Sequence, residues 1–178
     1  MDDARYVLLR DCGIPEGLCT SVLDYACQWR KISIETRRVI LGCPFQNLKY
    51  LSLQIPPLSG RVLKVIVDIE CKLHADQGDQ GFLEHSFIWG EVRFQKNTDA
   101  EFDLPGVMAF GISRGSGTWN SYTTSIGVGG FNDGAELSID QELVEGVIVS
   151  LWLCSESQSW WARAKYARIT LCCTWGAF

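Results

Sequence analysis

The feature that most constrains this chain is a two-residue alternation of apolar and polar side chains in residues 61–74, RVLKVIVDIECKLH. Val65, Val67 and Ile69 occupy alternate positions, and charged residues fall between them. Successive side chains of a β-strand point to opposite faces, so this period predicts a strand with one face in a core. Similar alternation predicts further strands in residues 85–95, 146–155 and 164–175.

Weaker alternation extends the same pattern over most of the chain after residue 29. It predicts strands near residues 31–36, 48–55, 107–113, 122–128 and 135–140. The strands recur about every ten residues, separated by Gly, Pro, Asn and Asp, without a helical period between them. This spacing argues against a parallel α/β sheet and predicts a mainly β fold. We expect an antiparallel two-sheet β-sandwich, jelly-roll-like, over residues 30–178, with a closed barrel as the alternative.

The first 29 residues have a different pattern and are predicted to be helical. Pro15 suits the first turn of a helix, where its missing N–H costs nothing. Leu18, Val22 and Ala26 follow at intervals of four residues and form an apolar stripe. The predicted organisation is therefore a helical N-terminal segment, residues 1–29, followed by one β-sandwich domain.

Composition and charge narrow the class of protein. Hydrophobic residues make up 47% of the chain and charged residues 21%, which indicates a packed core. The net charge of -5 argues against nucleic-acid binding, which usually needs a basic face. The opening MDDARYVLLRDCG does not resemble a signal peptide, and no apolar run approaches the ~20 residues of a membrane span. We therefore expect a cytoplasmic protein that contacts neither nucleic acid nor membrane.

Eight cysteines and two histidines are the residues most able to bind a metal. No CxxC pair occurs, so the spacing does not support a structural zinc site. In a reducing compartment the cysteines are expected to be small core residues rather than disulfides. The sequence predicts neither a metal site nor a cofactor.

Two stretches resemble a known module. IPEGLCTSVLDYACQW is similar to the opening of fungal F-box-like proteins. KLHADQGDQGFLEHSFIWGEV and the closing WWARAKYARITL resemble a β-rich module of those proteins and of some fungal ankyrin-containing proteins. The matching positions include Asp76, Gln77 and Gly78, then Ser86, Trp89 and Glu91. The resemblance implies a β-sandwich more firmly than any activity.

The polar stretch HADQGDQG, residues 74–81, joins two of the predicted long strands. Its two glycines suit turn positions with positive φ, and its Asp and Gln side chains can bond backbone amides. Asp76 and Asp79 are three residues apart, which does not fit the oxygen spacing of an EF-hand calcium loop. The stretch is interpreted as a polar connection, or as the rim of a pocket in which His74 and Asp76 contact a ligand.

Two polar loops carry tryptophans that could stack on a ligand. One is SRGSGTWNSYTT and the other is SESQSWWARAK. An exposed Trp needs a reason more than a buried one does, although packing beneath loops is an equally good explanation. The candidate ligand-binding residues in these loops are Arg114, Trp119, Tyr122, Trp160, Trp161 and Arg163.

The predicted strands at 61–74 and 85–95 each have a polar face. The side chains concerned are Asp68 and Glu70 in the first strand, and Trp89, Glu91 and Arg93 in the second. If the strands are neighbours, these groups converge, and burial of one carboxyl group would suit it to acid–base work. The same groups could bind a polar ligand or form cross-strand ion pairs on a solvated face.

These observations lead to two functional hypotheses. The first is an intracellular, non-catalytic β-sandwich that binds a sugar-like or planar apolar ligand, or a protein, through its Trp and Arg loops. Trp89 and Arg93 would add to that ligand site. The alternative is a small cofactor-independent enzyme, a cyclase, isomerase or hydrolase, with Asp68, Glu70 and Glu91 as catalytic acids in a pocket. The sequence contains no GxSxG elbow, P-loop or HExxH motif.

Overall fold

The fold was obtained as a computed structural model. It describes residues 13, 15, 18, 30–42, 46–57, 61–75, 88–96, 106–111, 118–131, 134–156 and 160–174. For residues 73–75 and 160–161 it describes the backbone alone. The strands are β1 (Arg30–Thr36), β2 (Ile40–Gly42), β3 (Asn47–Gln54), β4 (Val62–Ala75), β5 (Ile88–Gln95), β6 (Val107–Gly111), β7 (Asn120–Val128), β8 (Leu137–Ile139), β9 (Ile148–Ser155) and β10 (Trp160–Cys173).

The described strands form two sheets. The first sheet has the order β1-β10-β4-β7-β8, with β2 also pairing with β10, and the second has the order β3-β9-β5-β6. Every pairing is antiparallel except that of β7 with β8. Apart from the three-residue strands β2 and β8, each sheet has four strands, and this is the arrangement of a jelly roll. The predicted β-sandwich is confirmed, and the closed-barrel alternative is wrong because the strands form two separate ladders.

The inner faces of the two sheets form one core. In β4 the predicted apolar face is fully buried, with Val65, Val67 and Ile69 at most 1% exposed. Leu151 in β9 and Leu171 in β10 are also completely buried. Burying one such aliphatic side chain contributes about 1.5–3 kcal/mol. The core therefore accounts for the alternation in the sequence.

Gly90 in β5 leaves space that an aromatic side chain fills. It lies opposite Phe110 of β6, and a Cβ on Gly90 would come within 1.9 Å of the Phe110 ring. Phe110 in turn stacks on Tyr122, with ring centroids 5.2 Å apart. The absence of a side chain at Gly90 therefore sets how β6 packs beside β5.

The structure differs from the sequence prediction at several points. It adds β2, whose three residues are too short to show a period. The predicted helical segment, residues 1–29, lies outside the described residues, apart from a turn in which Leu18 N–H donates to Pro15 C=O at 2.8 Å. The first strand begins at Arg30, where the β-sandwich was predicted to start.

Candidate ligand-binding site

The outer face of the first sheet carries most of the polar side chains predicted in β4. Asp68 lies between Arg168 of β10 and Thr123 of β7 in the register of the three strands. Arg168 Nε donates to Asp68 Oδ2 at 2.9 Å, and Thr123 Oγ1 donates to Oδ1 at 2.8 Å. The hydrogen bond to Asp68 and its charge raise the pKa of Arg168. Both oxygens of Asp68 are therefore engaged, which suits a cross-strand ion pair better than a general acid.

The next group along this face surrounds Glu70. Lys165 Nζ lies 2.6 Å from Glu70 Oε1, and the Tyr166 hydroxyl donates to Glu35 at 3.4 Å. An open depression of about 370 Å³ is lined here by Arg37, Glu70, Lys165 and Tyr166. The Arg37 guanidinium lies 5.5 Å from the Tyr166 ring centroid, within cation–π range. The depression is open to solvent and mixes charged with aromatic groups.

A register shift in β10 explains why Lys165 reaches this face. The pairing with β4 slips between Ala164 and Tyr166, so Lys165 is the extra residue of a β-bulge. Bulges break the strict alternation of side chains and re-aim one of them. Lys165 and Tyr166, although consecutive, therefore both contribute to the outer face.

Beyond this group lies a cluster centred on an indole. We define the Trp119 cluster as Trp119 with Lys72, Arg163 and Lys165. The Nζ atoms of Lys72 and Lys165 lie 5.1 and 4.5 Å from the centroid of the Trp119 ring. Each such contact is worth about 0.5–1 kcal/mol at an exposed site. Arg163 is exposed and lies directly opposite Lys72 in the ladder between β10 and β4.

The backbone brings several predicted loop residues to the end of the first sheet where this cluster lies. In the pairing of β10 with β4, Trp160 is opposite Ala75 and Trp161 is opposite His74. Asp76 follows Ala75 directly in the sequence but lies outside the described residues, as does Arg114. His74 and Ala75, the first two residues of HADQGDQG, thus pair with Trp161 and Trp160 of SESQSWWARAK at this end of the sheet. That the side chains of His74, Trp160 and Trp161 bind a ligand stays a prediction.

Tyr122 does not belong with these residues. It was predicted as a ligand contact, but it pairs with Ile69, whose side chain is buried in the core. Tyr122 is half-buried, packs against the core and stacks on Phe110. Its position in the two-residue period of β7 places it on the same face as the buried Thr124 and Ile126. The structure therefore assigns Tyr122 to packing between the sheets.

The predicted polar group in β5 lies on the outer face of the second sheet. Arg93 Nε donates to Glu91 Oε1 at 2.6 Å, and Trp89 Nε1 donates to Oε2 at 3.2 Å. The Arg93 guanidinium also lies 4.5 Å from the ring centroid of Trp152. Burial raises the pKa of Glu91, but hydrogen bonds from Arg93 and Trp89 and the charge of Arg93 outweigh it and hold the pKa below its usual value. Glu91 is therefore a paired carboxylate.

Neighbouring residues cover the ion pair of Glu91 and Arg93. The Glu91 and Arg93 side chains are only 17% and 15% exposed, and Gly106 lies so close that a Cβ there would overlap Glu91 Oε1. The Cys154 thiol lies 3.6 Å from both Glu91 Oε2 and Arg93 Nη2. A charged pair that is covered and hydrogen-bonded on several sides stabilises the sheet and presents little surface to a ligand.

The two polar groups do not converge, because the strands that carry them are not neighbours. β4 belongs to the first sheet and β5 to the second, and their polar side chains point away from the shared core. Asp68 and Glu70 are thus on the opposite side of the sandwich from Trp89, Glu91 and Arg93. Consecutive strands of a jelly roll cross between sheets, so neighbours in sequence need not be neighbours in space.

The described cysteines do not form a nucleophilic or metal-binding site. Burial raises the pKa of the Cys71 thiol to about 12 and of the Cys154 and Cys173 thiols to about 11. Such buried thiols are poor nucleophiles. Across the described ranges, no three His, Cys, Asp or Glu side chains come together in a way that could hold a metal ion.

Two members of the Trp119 cluster, Lys72 and Lys165, were not among the predicted site residues. The alternation predicts that Lys72 lies on the polar face of β4 with Asp68 and Glu70, but nothing in the sequence marked it as a ligand contact. Lys165 gave no such signal because the bulge interrupts the period of β10. Trp119 and Arg163 were predicted as ligand contacts in loops. The structure instead places Arg163, with Trp160 and Trp161, in β10, where Arg163 and Trp119 lie on either side of Lys72.

Comparisons with known proteins show no family for this chain. No protein-family model matches the chain, and no curated protein matches it in sequence. One solved structure that matches is a chain from the T13 IBDV viral particle, with a TM-score of 0.44 and 14% sequence identity. The match covers 81% of this chain and 31% of the viral-particle chain, so this chain spans about a third of that chain's length. Within the described residues, no helix is both long and apolar enough to cross a bilayer.

Proposed function

We propose that this protein is a non-catalytic binding module whose ligand contacts the Trp119 cluster on the first sheet. The observation that carries the proposal is the half-buried indole of Trp119 with two lysine ammonium groups within 5.1 Å of its ring centroid. Aromatic faces beside cations are common in sites for sugars, planar ligands and protein segments, because one surface offers both stacking and polar contacts.

The position of the cluster supports a binding role. The Trp119 cluster adjoins the open depression at Glu70, with which it shares Lys165. On its other side, β4 continues to His74 and β10 begins at Trp160 and Trp161. The ends of strands in a rigid sheet, and the connections that follow them, are common places for recognition residues. The ligand is therefore proposed to lie across the end of the sheet, with His74, Asp76, Arg114, Trp160 and Trp161 as further contacts.

The enzyme alternative is less well supported. Asp68 and Glu70 are held by Arg168 and Lys165, and Glu91 is held by Arg93. A general acid needs a carboxyl group that keeps its proton near neutral pH, which requires a raised pKa. Although burial raises the pKa of Glu91, the hydrogen bonds from Arg93 and Trp89 and the charge of Arg93 outweigh it and lower the pKa.

The proposal also covers the cellular location and the family of the protein. Four buried cysteines, Cys71, Cys154, Cys172 and Cys173, are free thiols, as is usual in a reducing compartment. This supports a cytoplasmic location. We further propose that the chain belongs to the β-sandwich module of fungal F-box-like and ankyrin-containing proteins that its sequence resembles.

The test is a ligand screen with wild-type protein and the variant Trp119→Ala. Oligosaccharide arrays, peptide arrays and a library of planar metabolites observed by NMR provide the ligands. We expect at least one ligand class to bind, with an affinity that falls about 10-fold or more in Trp119→Ala, equivalent to about 1.4 kcal/mol.

A matched control is Met108→Ala on the outer face of the second sheet, where Met108 is 52% exposed. It removes an exposed apolar side chain far from the Trp119 cluster and should leave binding unchanged. Both variants should keep the melting temperature of the wild type within a few degrees. An empty screen, or equal binding by Trp119→Ala and wild type, would refute the proposal.

A further inference from the structure

We infer that the ligand of the Trp119 cluster is an acidic sugar, a ring that carries a carboxylate, phosphate or sulfate group; this deepens the proposed function and rests on it. The inference comes from how charge changes along the outer face of the first sheet. It also comes from the apolar groups that flank the cations.

Cations and carboxylates are paired in two neighbouring groups at the middle of this face. One cross-strand row contains Glu35, Arg168, Asp68 and Thr123, in which one cation lies between two carboxylates. In the next group, Lys165 neutralises Glu70 at 2.6 Å. Such alternation is the usual way in which a solvated sheet face stabilises itself.

The balance ends at the Trp119 cluster. The register places Leu41, Arg163 and Lys72 side by side, and Trp119 continues the row beside Lys72. Two cations are thus adjacent, and within the described part of the chain neither has a carboxylate partner. Like charges directly opposite each other in a ladder are unfavourable. An anion bound between them would remove that repulsion, which makes the pair a natural oxyanion site.

Apolar groups at both ends of the row favour a sugar over a bare ion. Leu41 is 48% exposed on one side of Arg163, and the Trp119 indole lies on the other side of Lys72. Neighbouring strands are about 4.8 Å apart, so four side chains on adjacent strands span about 14 Å. That length matches one or two sugar rings, whose C–H faces can pack on Trp119 while an oxyanion meets the cations.

An extended polyanion fits these observations less well. The cluster offers three cations, Lys72, Arg163 and Lys165, and the last is already paired with Glu70. A nucleic acid gains its affinity from many phosphate contacts along a continuous basic surface. The chain as a whole has a net charge of -5, so a long polyanion would be repelled beyond the cluster.

The test uses pairs of oligosaccharides that differ only in charge. Each uronate-containing, phosphorylated or sulfated sugar is titrated beside its neutral counterpart by isothermal titration calorimetry. We expect the acidic member to bind at least 10-fold more tightly, and the preference to weaken steadily as NaCl is raised. Comparing the three oxyanions identifies the source of the charge.

Two substitutions locate the charge recognition. In the double variant Lys72→Gln/Arg163→Gln the preference for the acidic sugar should fall to about one, whereas Arg163→Lys should retain part of it. The control Lys49→Gln removes a lysine near Trp152 on the opposite sheet and should change nothing. The melting temperature should change little, because the loss of the Lys72 contact with the Trp119 ring is offset by relief of the repulsion between the two cations.

The outcomes separate this inference from the proposed function. Equal affinity for acidic and neutral sugars, with binding still lost in Trp119→Ala, would overturn the acidic-sugar inference and leave the binding site intact. Binding of an acidic peptide but of no sugar would also overturn it. If no sugar, acidic peptide or planar metabolite binds wild-type protein, both the inference and the proposed function are overturned.

Discussion

Gly90→Ala tests the packing between β5 and β6 most directly. A Cβ at this position would lie 1.9, 2.3 and 2.4 Å from three carbon atoms of the Phe110 ring. Carbon atoms in ordinary contact are about 3.5–4.0 Å apart, so the ring would have to move by about 1.6 Å. Phe110 is buried and stacked on Tyr122, so that movement disturbs a second aromatic side chain.

The expected cost follows from these contacts. Overpacking a core typically costs about 1–3 kcal/mol, and a clash this close belongs near the upper end. Loss of the stacking between Phe110 and Tyr122 adds about 0.5–1.5 kcal/mol. The lower backbone entropy of Ala in a strand returns about 0.5–1 kcal/mol. We therefore expect the free energy of unfolding to fall by about 2–3.5 kcal/mol, or roughly 4–14 °C in melting temperature.

Urea unfolding followed by tryptophan fluorescence measures the free energy of unfolding. Gly111→Ala is a matched control, because it lies in the same pair of strands and its Cβ would meet no atom within 4 Å. A double-mutant cycle with Phe110→Ala isolates the clash. In that background Gly90→Ala should cost less than about 0.5 kcal/mol. A cost equal to that of Gly111→Ala, or additive effects in the cycle, would refute the proposed packing.

Two further predictions concern the ionisable groups. Glu91→Gln should reduce the free energy of unfolding by about 1–3 kcal/mol at neutral pH through loss of its charged hydrogen bonds to Arg93. Because the folded-state pKa of Glu91 is lowered, its stabilisation is present above the unfolded pKa of about 4.3 and is lost as pH falls through the folded value. Urea titrations between pH 3 and pH 7, as a rough range, should show the two proteins converging in acid; a difference independent of pH would contradict this. The thiols of Cys71, Cys154 and Cys173 should resist maleimide labelling at pH 8, on the order of 10-fold or more slower than in urea, and peptide mass spectrometry that finds them labelled at equal rates would contradict their burial.

The strands could be predicted from the sequence because their signal is local. Alternation in β4 and β10 follows from the direction of neighbouring side chains along one strand, which needs no knowledge of the partner. The inward positions of Val65, Val67 and Ile69 are confirmed for that reason. The three-residue strand β2 was missed because a period of two cannot be recognised over three residues.

The pairing of strands could not be predicted in the same way. Whether Asp68 and Glu91 converge depended on whether their consecutive strands are neighbours in a sheet, and strand pairing is set by contacts between distant segments. β4 pairs with β10 and β7, and β5 pairs with β9 and β6. A site assembled across strands therefore depends on long-range register that a single sequence does not reveal. The bulge at Lys165 adds a second such limit, since it changes the side-chain pattern without a marker in the sequence.

The outer faces of the two sheets differ in a way that favours the first as the binding surface. On the second sheet, Glu91 and Arg93 satisfy each other and are largely covered. On the first sheet, paired charges at Asp68 give way to two adjacent cations beside an indole. A surface that serves only solubility intersperses charges of both signs. Two adjacent cations depart from this pattern and cost stability unless an anion binds between them. Folding therefore does not explain why Lys72 and Arg163 lie side by side, and the titration with acidic sugars tests whether binding does.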